Sequence, residues 1–213
     1  MYPVFKIGID DSEPDTMWEY QSLVDFPAHM RGFEKWSSSP KQEYFVDTKK
    51  RRVTGVAIAA DMLIYRDDKQ LGKHYVTFDR NEVEKLWLKR NRDRMTNKVN
   101  LNHDPNKIMN EGAGGIYLVE QWIVDTARGM GVPLSLANQG IRDGSLIETY
   151  QIEDEATWRD VEAGKYNGFS IEGLFVKWPV SVKKIGDQMK AMKMDDIARH
   201  NLAAAFRAMS QNK

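Results

Sequence analysis

Two hundred and thirteen residues, 41% of them hydrophobic, suffice for one substantial buried core, and 31 basic residues balance 31 acidic ones. No overall field therefore gathers nucleic acid or anionic lipid. The chain contains no cysteine, which excludes disulfide scaffolds, cysteine proteases and thiolate metal centres, and leaves serine as the nucleophile to look for.

Residues 1–11 lack a basic stretch leading into an apolar one, and no apolar run is long enough to cross a bilayer, so a cytosolic protein without membrane contact is expected. Residues 4–9 alternate like a first strand. The acidic stretch 10–15, with Pro14, is a loop, and residues 20–27 give a second strand. Residues 37–40 (Ser-Ser-Ser-Pro) form another loop. The β-rich runs within 44–58 flank a charged turn at 49–52 and predict a hairpin. Residues 74–78 are extended. Asp79 then caps a helix through Arg94, in which Val83, Leu86 and Trp87 share one face.

From Val99 the period returns to two, placing Val99, Leu101 and His103 on one side of a strand that Pro105 stops, so His103 is expected at a rim. Gly112-Ala113-Gly114-Gly115 lacks the lysine and hydroxyl of a phosphate loop and opens a strand, so it is taken as a turn. In the strand 116–124, alternation puts Leu118, Glu120 and Trp122 on one face, an acid between two apolar neighbours. Residues 125–144 read as a long glycine-containing connection of the kind that faces substrate, and 145–151 as a strand. Asp154 caps a short helix ended by Gly164, and 166–177 is the last strand. After Pro179, Met194, Ile197, Leu202, Phe206 and Met209 keep helical spacing. The expected domains are a body, 1–179, and an amphipathic tail, 180–213. About seven or eight short strands with no βαβ alternation predict an α+β, mainly β fold, an antiparallel β-barrel with peripheral helices and a C-terminal amphipathic helix.

Chemistry concentrates on Gly168-Phe169-Ser170-Ile171-Glu172-Gly173, a serine on an apolar strand with a glycine at each end that lets other backbone approach. Ser170 is the candidate nucleophile and His103 the candidate base. Glu120 is the first candidate for the acid that orients the imidazole, because a carboxylate on an apolar face is costly unless paired. Glu172 competes from two residues beyond Ser170 on the same face, while Asp104 points away from His103. His103, Asp104 and Asp125 are a weaker metal-site alternative, since no other histidine has ligand-like spacing to them. No metal or cofactor is expected, and the oxyanion donors stay unassigned.

The order of motifs carries a resemblance. Val53-Thr54-Gly55, Leu63-Ile64-Tyr65-Arg66, the Phe78-led helix, Asn102-His103-Asp104, Leu118-Val119-Glu120-Gln121-Trp122, Trp158 with the Gly164 turn, and the Ser170 motif together resemble the XkdF-type phage serine proteases over residues 4–178. Those proteins are similar to the prohead, or procapsid maturation, proteases of tailed phages, whose fold and His-then-Ser order resemble the herpesvirus assemblins. The resemblance implies an assemblin-like endopeptidase packaged in the immature capsid within the host cytoplasm. Its substrates would be scaffolding protein, capsid-protein extensions and its own chain, and a second copy is a candidate partner; no specific nucleic acid is implied. Ser170 matches the nucleophile position, His103 the base and Glu120 the third residue, with Gln121 replacing a serine that often follows that acid. The alternative is a noncatalytic capsid-assembly protein that binds coat subunits through its terminal helix.

Overall fold

A computed structural model describes residues 2–25 (except 11 and 14), 50–109 and 115–180. The loop expected at 37–40, the first arm of the hairpin at 44–58, the turn at 112–114 and the helical tail lie outside the described residues. Among the described residues, eleven strands and two helices follow in the order β1 (Val4–Gly8), β2 (Met17–Val24), β3 (Arg52–Ile58), β4 (Ile64–Asp68), β5 (Gly72–Thr77), α1 (Arg80–Arg92), β6 (Val99–Leu101), β7 (Asp104–Ile108), β8 (Ile116–Ile123), β9 (Leu146–Ile152), α2 (Glu155–Glu162), β10 (Gly168–Leu174) and β11 (Val176–Val180).

Among the described residues the fold is mainly β with two helices, as the composition of short alternating segments leads one to expect. The antiparallel expectation needs correcting. The ladders form three sheets among the described residues, β11-β1-β5-β4, β10-β2-β6-β7 and β3-β9-β8. In the first two the central pairs, β1 with β5 and β2 with β6, run parallel. Neither parallel pair is visible in alternation alone, because its partners are joined through long intervening chain.

Helix α1 starts where Asp79 accepts a hydrogen bond from the Glu82 N–H at 3.0 Å. It buries Val83, Leu86 and Arg90 on one face, the three-and-four spacing of a helix docked along one stripe. Those apolar groups join Ile7, Trp18, Ile58 and Phe78 in one core, while Leu23, Val53, Tyr150, Trp158 and Phe169 form a second between β10-β2-β6 and β3-β9-β8. Arg90 crosses the interior: its side chain is 1% exposed and pairs with Glu148, 0% exposed, at 2.7 Å. It also donates to the Tyr150 hydroxyl at 2.8 Å and the Thr96 carbonyl at 3.0 Å, and its guanidinium stacks 3.8 Å from the centre of the Trp18 ring. Burial pushes the Glu148 carboxyl up against the pull of Arg90, and pushes the Tyr150 phenol up as well.

Residues 125–144 are two short 3₁₀ turns, Thr126–Arg128 and Leu134–Gln139. Leu136 packs there with Val56, Val124 and Ile147, because an apolar side chain in a long connection is better buried than left over a groove. None of these residues lines the pocket beside Ser170 described below.

Candidate functional site

The site is built on the sheet β10-β2-β6-β7. Ser170 on β10 pairs with Ser22 on β2, and Ser22 pairs in turn with Asn100 on β6. Directly paired residues share a sheet face, so Ser170, Ser22 and Asn100 form a polar row across three strands. Glu172, two residues along β10 and still in register with Tyr20, lies on that face too. The opposite face of the same strands carries Leu23 and Phe169 into the core, and there Gln21 Nε2 donates to the Ser170 carbonyl at 3.1 Å.

His103 reaches this row by a turn, which corrects its expected place at the end of a strand. The chain reverses at Asn102 and His103, with φ of 51° and 58°, and Leu101 pairs with Asp104 across the reversal. Two residues of positive φ make the tight hairpin turn whose twist suits its strands, and asparagine and histidine are among the side chains found in that conformation. Pro105 sits in the returning strand β7, at the sheet edge, where a missing N–H is tolerated. The turn is tied down: the Asn102 N–H donates to the Leu23 carbonyl at 2.9 Å, and Asn102 Oδ1 accepts from the Asp25 N–H at 3.1 Å.

So held, His103 Nδ1 lies 3.0 Å from Ser22 Oγ and 3.2 Å from Glu172 Oε2. Asn100 closes the network, with Nδ2 3.0 Å from Glu172 Oε2 and Oδ1 2.5 Å from Ser22 Oγ. Ser22 and Asn100 are buried, while the His103 and Glu172 side chains are 42% and 39% exposed, so solvent reaches the imidazole from outside the sheet. No hydrogen bond joins Ser170 Oγ to the ring. Ser170 occupies the neighbouring position in the row and, with Arg66, Ile64, Ala59 and Phe78, lines a small pocket of about 20 Å³, room for about one water. Burial pulls the Arg66 guanidinium below its ordinary value.

Of the expected site residues, the fold brings Ser170, His103 and Glu172 to one face and leaves Glu120 elsewhere. A bulge between Leu118 and Glu120 breaks the register of β8, the edge strand of β3-β9-β8, and Glu120 points to solvent. The inserted residue disrupts the alternation that had placed this acid between Leu118 and Trp122. Glu172 therefore takes the position by the imidazole that had been assigned to Glu120.

Asp104 accepts from the Asn106 N–H and pairs with Lys107, which together hold its carboxyl below the ordinary range, and Asp125 caps the turn at Thr126–Arg128. His103, Asp104 and Asp125 thus do not converge, and among the described residues no group of three metal-ligating side chains does. Ser22 and Asn100 escaped the sequence reading, although each is a polar residue between buried neighbours on a strand, a signal that one side of that strand is not core.

No family model matches this chain, and no curated protein or solved structure is significantly similar to it.

Proposed function

We propose that the chain is a serine endopeptidase of the procapsid maturation type, with Ser170 as nucleophile, His103 as general base and Glu172 as the acid that orients it. One observation carries this: an imidazole tied through Nδ1 to a carboxylate stands on the same sheet face as a serine that borders a small pocket. Ser22 is closer to the ring, but it meets the nitrogen that Glu172 also holds, and it is fully buried. A relay needs its nucleophile on the other nitrogen.

In the proposed reaction Ser170 Oγ attacks the scissile carbonyl and its proton passes to His103 Nε2, while Glu172 stabilises the imidazolium at Nδ1. Nε2–H then protonates the leaving amine, and a water, deprotonated by the same nitrogen, hydrolyses the acyl-enzyme. Catalytic hydrogen bonds of this kind often tighten only when substrate is bound. Scaffolding protein and the extension of the major capsid protein would be the substrates, inside the immature capsid. An assemblin-like barrel belongs to the same proposal, supported by the approach of β10 to β3, which links two of the sheets. The chemistry calls on no cofactor.

The test is co-expression with the cognate capsid and scaffolding proteins, read by intact mass. Wild type should trim them and Ser170→Ala should leave them full length. Trimming at the same sites by Ser170→Ala would refute the enzyme and favour a noncatalytic assembly role.

A further inference from the structure

The hydrogen-bond network settles where the protons are. Asn100 is its fixed point: its group nearest Glu172 Oε2 must be the amide nitrogen, because a carboxylate only accepts, so the amide oxygen faces Ser22. That oxygen only accepts, and therefore takes the single proton of the Ser22 hydroxyl. Ser22 Oγ is then left with lone pairs toward His103 Nδ1 at 3.0 Å, and Glu172 Oε2 presents a second acceptor to the same nitrogen at 3.2 Å. Two acceptors converging on one ring nitrogen require a hydrogen on it.

We propose that Ser22 and Asn100 are positioning residues that hold the neutral His103 ring in its Nδ1–H tautomer, leaving Nε2 bare as the proton acceptor. Neither side chain touches substrate. The buried Ser22–Asn100 pair is a rigid ledge under the imidazole, and it does what one carboxylate cannot. Glu172 is 39% exposed, whereas Ser22 Oγ is buried between two strands and so adds an acceptor that solvent does not reach. The same proton assignment excludes Ser22 as a nucleophile, because its hydrogen is aimed at Asn100 and its oxygen at an N–H. This inference rests on the proposed hydrolase for its purpose, but the tautomer is a property of the resting protein.

The test uses the full chain labelled with ¹⁵N at histidine, with His103 assigned from His103→Gln. Long-range ¹⁵N–¹H correlation spectra are recorded where the imidazole is neutral, and the rate at which a fluorophosphonate labels Ser170 is followed against pH. Wild type should show a protonated Nδ1 and a bare Nε2. Ser22→Ala and Asn100→Ala should shift the ratio of the two tautomers about tenfold toward Nε2–H, the worth of one hydrogen bond, and slow Ser170 labelling by a similar factor. Ser22→Thr, which keeps the hydroxyl, should restore both.

A wild-type ring protonated on Nε2 overturns the inference even if no variant folds, as does a tautomer ratio unmoved by both alanine substitutions. If Ser170 is never labelled while the tautomer responds as stated, positioning stands and the hydrolase fails. If labelling proceeds equally in all variants with an unmoved tautomer, the hydrolase stands and positioning fails.

Discussion

A carboxylate serves an imidazole only from a distance at which it can accept the ring's proton, and this separates Glu172 from Glu120. Glu172 meets His103 Nδ1 at 3.2 Å, while Glu120 faces solvent from another sheet. We therefore expect Glu172→Gln to slow fluorophosphonate labelling of Ser170 by on the order of 10³–10⁴-fold, as loss of the orienting acid does in serine triads, and Glu120→Gln to change it less than about twofold. The reverse ranking would return the third role to Glu120. Ser170 and Glu172 were legible as partners because two residues along a strand share a face whatever the strand pairs with. Ser22 and Asn100 were not, because their meeting depends on a parallel pairing between segments 78 positions apart, which no local period records.

At the scale of elements, two backbone irregularities aim the site. The Asn102–His103 turn swings the imidazole over β2, and its positive φ angles hid it from a reading that carried strand alternation one step too far. On β10 the register slips between Glu172 and Gly173. A Cβ on Gly173 would overlap the Met17 carbonyl oxygen, so glycine is needed there for lack of room. Gly173→Ala should then destabilise the protein by about 1–3 kcal/mol in urea unfolding, the usual cost of forcing extra atoms into a packed place. It should also slow Ser170 labelling more than the lost stability explains, since Glu172 is the adjoining residue. An alanine variant of wild-type stability and reactivity would remove the bulge from the account. The capped helices α1 and α2 were far easier to foresee, because Asp79 and Asp154 announce them within four residues of sequence.

Across the whole molecule, the buried Arg90–Glu148 pair joins α1 to the sheet of β9, with Trp18 of β2 against the guanidinium. Removing one charge strands the other in the interior. Arg90→Met should cost about 3–5 kcal/mol, and the double variant Arg90→Met, Glu148→Leu should recover more than half of it, since an apolar pair of similar volume is often as stable as the ion pair. Denaturant midpoints of the single and double variants decide this, and additive losses would mean that the pair is not coupled.

The three-sheet arrangement also orders events in time. Ser22, Asn100 and His103 leave the ribosome long before Ser170 and Glu172, yet β2 cannot take its neighbour β10 until residues 168–174 have been made. A nascent chain halted earlier carries the imidazole without its carboxylate and without the serine beside it. Under the proposed hydrolase reading, reactivity at Ser170 would thus arrive only on insertion of this one late strand.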